Sequence, residues 1–308
     1  MGLISAILNK VSCGLSELLG TGQKFCKFDF RTPTTIVLLQ KGYKIAPETD
    51  FNMAYVQELA QKGIAVIIDG VKGFTNNTPE NTFGTYEATG EQYLTLKSPY
   101  MWQFTFNSGL YYYKALAKLE SNGQYDILLF DTKGDMIGAM DNQGNLRGLD
   151  LGLFSVGAYI IGNDNTETVT VQVNRANFDS QVAWITNENL DFTASQDLDG
   201  YNDTTITLVA PADAATTVLF SINATSNNKL VALQGLAKED LLYQVDGVTT
   251  TITTLTALPT PGQYQLTVPA VDTGDVLTLQ LFDSTLNANI ILLEGAMYKS
   301  NVATTTVV

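Results

Sequence analysis

Carboxylates are the side chains best placed to do chemistry here, because the 308-residue chain contains no histidine. That absence removes the commonest general base, the usual zinc ligand and the middle member of Ser-His-Asp and Cys-His arrangements. Two spacings of aspartates remain. In DLDGYND, Asp197, Asp199 and Asp203 bracket Gly200 and could converge oxygens on one hard cation; the same residue types also make ordinary solvated linkers. In DTKGD, Lys133 stands between Asp131 and Asp135, which puts a cation at the third ligand position of a calcium loop, and no glutamate follows at the twelfth. Turn chemistry is the expectation at that site. Carboxylate-pair catalysis of the glycosidase kind needs two acids in one pocket, and no motif places them so. The expected set of catalytic, cofactor-binding and metal-ligating residues is therefore empty.

Glycine-rich stretches raise the question of phosphate. Residues 125–161, YDILLFDTKGDMIGAMDNQGNLRGLDLGLFSVGAYII, hold many glycines but neither G-x-G-x-x-G nor G-x-x-x-x-G-K-[ST]. A phosphate loop also opens a helix, whereas each glycine cluster here leads into another apolar run of strand character. DTKG and DNQGN read as hairpin turns. The run Tyr111-Tyr112-Tyr113, with MWQFTF just before it, could stack bases or sugars; packing of a helix on a sheet explains most of it, and the acidic surroundings disfavour nucleic acid.

Charge narrows the partners further. The net charge is -14, which repels phosphates from most of the surface, so nucleic-acid binding is not expected. Residues 191–308 hold twelve Asp or Glu against Lys229, Lys238 and Lys299 only. Cys13 and Cys26 lack the C-x-x-C spacing and read as a reduced pair. The opening MGLISAILNKVSCGLSELLG has no basic n-region and Lys10 interrupts it; it reads as a short amphipathic arm rather than a signal peptide or a membrane span. The sequons at Asn76, Asn202 and Asn223 carry weight only in a secreted chain.

The elements that must position these residues are mostly strands. EQYLTLKS, MWQFTF, YDILLF, ETVTVQVN, TTITLVA, TTVLFSI, YQLTVPA and VLTLQLF alternate or are β-branched, and turn residues bound them. Two helices are expected. One lies within PETDFNMAYVQELAQKG, with acidic residues in its first turn and Gly63 as its stop; the other lies within NSGLYYYKALAKLESNG, with Ser108 as N-cap and Gly123 beyond its end. Composition shifts near Trp184, and a polar run, ITNENLDFTASQDLDGYND, follows. The expected divisions are an N-terminal arm and helix-containing extension over 1–79, a β domain with one helix over 80–190, and an immunoglobulin-like β-sandwich over 191–308 with short strands at roughly ten-residue spacing. The fold class is mainly β (α+β).

Residues 80–185 carry a strand pair, the helix GLYYYKALAKLES, the hairpins YDILLFDTKGDMIGAMDNQGNLRGLDLGLF and the strand TVTVQVNRANFD. That order resembles structural proteins of tailed phages infecting Bacteroidota, including ring and tube-like tail proteins of crAss-like phages. The resemblance implies a tail-tube-like antiparallel β-sandwich or barrel with flanking helices, and a virion protein of the tail or head-to-tail connection. It further implies homo-oligomeric rings of six- or twelve-fold symmetry, neighbouring tail or portal-proximal proteins as partners, and assembly in the host cytoplasm. Double-stranded DNA would pass without being bound, and no cofactor, membrane or catalytic residue is implied. An acidic wall suits such a conduit. Head-to-tail contacts close into rings, and the hairpins of residues 125–161 are where those contacts are expected. The alternative is a surface adhesin or glycan-binding module presenting Tyr201, Tyr243 and Tyr264.

Overall fold

Alternating and β-branched runs become strands throughout the computed structural model, which describes residues 3–10, 30–160, 166–226 and 229–308. The chain divides into two compact units, Met1–Gln57 with Ile64–Leu198, and Glu58–Gly63 with Asp199–Val308. Both units are mainly β. Cys13 and Cys26, and most of the N-terminal arm, lie outside the described residues.

The first unit holds β1 (Asn9–Lys10), β2 (Pro33–Gln40), β3 (Ala65–Ile68), β4 (Gly73–Asn76), β5 (Thr82–Thr85), β6 (Gln92–Leu96), β7 (Tyr100–Phe106), β8 (Tyr125–Asp131), β9 (Met136–Met140), β10 (Leu146–Arg147), β11 (Leu149–Val156), β12 (Glu167–Val173) and β13 (Val182–Ile185). All but β5 and β6 join one eleven-stranded sheet. Strand β8 is its hub. One edge of β8 pairs antiparallel with β2 along its length, with Ile36 opposite Leu129 and Leu38 opposite Ile127. The other edge is shared: Asp126 and Ile127 face Asp150 and Leu149 of β11, and Leu129 and Phe130 face Ile137 and Met136 of β9.

The sheet forks at Gly148, and a close backbone approach explains the glycine. A Cβ there would stand 2.7 Å from the Asp126 carbonyl carbon and from the Ile127 nitrogen. Beyond β11 the order runs β12, β7, β4, and the link between β3 and β4 joins the two ends. Val71 N–H donates to Thr34 O at 3.1 Å and Lys72 N–H donates to Thr105 O at 2.8 Å, so the ribbon is drawn round into a barrel. Its interior takes Ile36, Leu38, Phe104, Phe106, Ile127, Leu129, Val169 and Val171, each contributing about 1.5–3 kcal/mol by leaving water. The opposite face of β8 is covered too: Phe130 packs on Phe192 at 5.9 Å, and Phe192 on Phe51 at 6.4 Å.

This architecture corrects the division expected at residue 79. Segment 33–76 is no extension, since it supplies β2, β3 and β4 to the barrel. The expected boundary near 190 falls instead at Leu198–Asp199. Both helices are shorter than expected. Helix Met53–Gln61 has no acidic residue in its first turn; the Asn52 side chain caps it, accepting from Tyr55 N–H at 2.8 Å. Pro47 and Thr49 instead give their carbonyls to Ser5 and Ile4. Gly63 does end that segment, with φ +70°. Helix Leu110–Ala117 is not capped by Ser108 but follows Gly109 at φ 90°. The Ser108 and Gly109 amides donate to the carboxylate of the buried Glu167 at 3.0 and 2.6 Å, so the cap comes from β12. Segment RANFDSQ, expected to continue a strand, is helix Arg175–Gln181, capped by the Asn174 side chain.

The two glycine turns share one construction. Asp131 Oδ1 accepts from Lys133 N–H at 2.8 Å and Asp135 N–H at 3.0 Å; ten residues on, Asp141 Oδ1 accepts from Gln143 N–H at 2.9 Å and Asn145 N–H at 3.0 Å. Gly134 and Gly144 sit at φ +86° and +83°, where only glycine is unstrained. Burial alone would raise the Asp141 carboxyl. The bonds from Asn145, from Lys44 and from the Asn145 and Gln143 backbone outweigh it and hold that carboxyl well below the usual carboxylate range.

The second unit is a two-sheet sandwich. Its strands are β14 (Asn202–Leu208), β15 (Ala215–Ser226), β16 (Lys229–Ala232), β17 (Leu241–Val245), β18 (Val248–Thr249), β19 (Thr254–Ala257), β20 (Gln263–Val271), β21 (Val276–Leu281), β22 (Ile290–Leu293), β23 (Ala296–Ser300) and β24 (Ala303–Thr306). One sheet runs β19-β20-β15-β14-β23-β22 with β16 beside β15, the other β18-β17-β21-β24. Ile206, Phe220, Leu266, Tyr243, Leu279 and Ala303 meet between them in one core. The chain passes from one sheet to the other at Asn301, whose side chain accepts from Ile206 N–H at 2.7 Å and donates to Ile206 O at 3.2 Å, in place of a ladder residue.

Two outcomes follow from these contacts. Gly148→Ala forces β10–β11 away from β8 and is expected to cost about 1–3 kcal/mol in urea unfolding. Asp141→Asn removes a carboxylate whose folded form is favoured. Its destabilisation is expected to be full near neutral pH and to shrink as pH falls below about 4, where the unfolded wild-type carboxyl takes up its proton while the folded one is still ionised.

Candidate functional site

Among the described residues, strands β5 and β6 pair only with each other. They form a ribbon closed by the loop EATGE, where Tyr86 N–H donates to Glu91 O at 2.9 Å and Gly90 N–H to Tyr86 O at 2.8 Å. An isolated two-stranded ribbon is marginal in water, and this one is steadied from within. Gly84 stands opposite Tyr93, and a Cβ at Gly84 would lie 2.5 Å from the Tyr93 ring, so the ring lies over the glycine. Tyr86 packs on Tyr93 with centroids 4.6 Å apart.

Its base is tied to the barrel through Arg175. The guanidinium donates to Asn81 Oδ1 at 2.8 Å and Ser98 O at 3.4 Å, and lies 5.3 Å from the centre of the Tyr100 ring. Tyr100 OH donates to Asp179 at 2.8 Å; burial first, then Asp179, pushes the phenol above its ordinary range. Ser98 Oγ donates to Glu80 O at 2.8 Å. Next to this base, a groove of about 570 Å³ is lined by Lys97, Asp150, Gln172, Asn174, Arg175 and Asp179 among others.

The ribbon itself is bare. Phe83 is 56% and Leu96 59% exposed, and Tyr86, Tyr93 and Leu94 are exposed as well. Five large exposed apolar side chains on one short ribbon, Phe83 and Leu94 paired across it and Tyr86 stacked on Tyr93, are of the kind that marks a contact site. The pattern of EQYLTLKS suggests a strand with one buried face, yet every residue of β6 is exposed.

The hairpins expected to supply contacts are engaged by their own chain. Asn187 N–H donates to Asp135 Oδ1 at 2.9 Å and its side chain to Lys133 O at 2.7 Å; Lys44 pairs with Asp141 at 3.0 Å. Three of the aspartates weighed as ligands, Asp131, Asp135 and Asp197, are likewise used locally. Asp131 Oδ2 accepts from Arg31 N–H at 2.7 Å, and Asp197 accepts from Thr193 N–H at 2.7 Å. Asp197 belongs to the first unit, and Asp199 and Asp203 to the second; among the described residues no three acidic or cysteine side chains gather as a metal site.

The aromatic platforms are corrected too. Tyr111 is exposed, Tyr112 OH donates to Asp69 O at 2.8 Å, and Tyr113 meets Tyr159 at 5.5 Å, so the three do not share a face. Burial raises the Tyr112 phenol, with Asp69 and Glu167 adding to the effect. Tyr243 and Tyr264 are core residues. Burial pushes the Tyr243 phenol up to about 12, and Tyr264 OH donates to Leu233 O at 3.0 Å. Of the three only Tyr201 is exposed, with the Lys299 ammonium 5.4 Å from its ring centre.

No family model and no curated protein matches the chain. Among the described residues no helix is long and apolar enough to cross a membrane.

Because Phe83 and Leu96 are exposed among the described residues, Phe83→Ser combined with Leu96→Ser is expected to shift the unfolding free energy of the isolated chain by no more than about 0.5 kcal/mol. Phe104→Ala, in the barrel interior, is expected to cost about 3–5 kcal/mol in the same urea titration.

Proposed function

We propose that the chain is a structural protein of a tailed-phage virion, forming rings of the tail or head-to-tail connection that make up part of the DNA conduit. The observation that carries this reading is the exposed apolar ribbon Thr82–Leu96, anchored at its base and bare on both faces. Such a ribbon gains stability when a neighbour covers it, and one ribbon per subunit meeting a different surface on the next makes a head-to-tail contact that closes into a ring.

Further support comes from composition. A net charge of -14 suits a wall past which DNA moves without sticking. The role is structural rather than catalytic, with other copies of the chain and neighbouring tail or portal-proximal proteins as partners. The virion is its place of action, after assembly in the host cytoplasm. The adhesin reading loses weight, since two of its three aromatic residues lie in the core.

The test is the mass of the purified protein in solution, followed by negative-stain microscopy. Rings or tubes with a central hole are expected, and the Phe83→Ser, Leu96→Ser variant is expected to remain monomeric while folded. A wild-type chain that stays monodisperse and monomeric, even with other particle components present, overturns the proposal.

A further inference from the structure

Four distant segments bring a lysine, two aspartates and two asparagines together on the first unit. Lys41 directly follows β2, Asp126 lies on β8, and Asp150 lies opposite it on β11. The Lys41 ammonium contacts Asp150 Oδ1 and lies 3.0 Å from Asp126 Oδ1; it also donates to Leu151 O at 2.9 Å. Asp126 is fully buried, and its Oδ2 accepts from Gly42 N–H at 2.9 Å. The other oxygen of Asp150, Oδ2, accepts from Asn177 Nδ2 at 2.7 Å and Asn174 Nδ2 at 3.2 Å.

We propose that Lys41 and Asp150 condense into an intramolecular amide bond. The arrangement supplies each part that acyl transfer to an amine needs. Lys41 Nζ is the nucleophile and touches the carboxyl group it attacks. Asn174 and Asn177 aim two N–H donors at Oδ2, the oxygen that carries negative charge in the tetrahedral adduct. Asp126, with one oxygen pinned by a backbone amide and the other facing the amine, carries the protons.

In the reaction Asp126 takes a proton from the Lys41 ammonium, and the free amine attacks Cγ of Asp150. The C–Oδ1 bond breaks, and Oδ1 leaves as water with the two protons lost by nitrogen. One ammonium and one carboxylate become one amide and one water, no electron is transferred, and Asp126 ends as the carboxylate it began. Charge stays balanced, because Arg147, whose Nη2 lies 3.8 Å from Asp126 Oδ2, remains as the counterion. The turn that ends β2, strands β8 and β11 and a capped helix hold the groups involved, so little ordering remains for the transition state. The linked residues are 109 apart in the chain, and the bond would close that span across β8.

The experiment uses the full-length protein as purified. A proteolytic digest examined by tandem mass spectrometry is expected to yield the Lys41 and Asp150 peptides joined, lighter than their sum by one water. Asp126→Asn keeps both reacting groups and is expected to leave them unlinked. Asn177→Ala removes one oxyanion donor and is expected to slow linkage by about a hundredfold. A wild-type digest in which Lys41 and Asp150 occur only in separate peptides, after prolonged incubation at neutral pH, overturns the proposal and leaves a charged pair alone.

Discussion

Strand β8 is where the first unit is held together, because its two edges serve three neighbours. β2 takes one edge whole, while β11 and β9 divide the other. Such sharing requires a place where two backbones part from a common partner at contact distance, and Gly148 supplies it. Its faces are equally committed. Ile127 and Leu129 point into the barrel, and Phe130 points to the layer formed with Phe192 and Phe51. A strand used on every side leaves no freedom of register, so the hairpins on either side of it are placed by it.

Buried and half-buried carboxylates do the corresponding work for the backbone. Asp131 and Asp141 each gather amides of a turn, and Glu167 gathers the two at the start of helix Leu110–Ala117. In a chain with so many acids, part of the negative charge is thus spent on satisfying N–H groups that would otherwise be orphaned.

How much of this was legible in sequence depends on the range of the interactions. The mainly β class, the DTKGD and DNQGN turns and the stop at Gly63 rest on neighbours a few residues apart, and their patterns are plain. Strand β2, PTTIVLLQ, was not, because burial of both faces erases the alternation that announces a strand. The Glu167 cap sits more than a strand away from the helix it serves, so Ser108 looked sufficient. The opposite failure occurs in β6: alternation in QYLTL promises a buried face that the fold does not provide. Lys41, Asp126 and Asp150 carry no motif at all. Only the pairing of β2, β8 and β11 makes them neighbours.

The second unit has one pairing with a mechanical meaning. Strand β14, just after the unit begins, runs parallel to β23, near the chain's end, with Asn202, Asp203 and Thr204 opposite Tyr298, Lys299 and Ser300. Tension applied between Asn202 and Ser300 loads that pair lengthwise, so its bonds share the force and must fail together. An antiparallel hairpin pulled at its open end would instead unzip one bond at a time. Between those two points the sandwich resists a pull in shear rather than by unzipping.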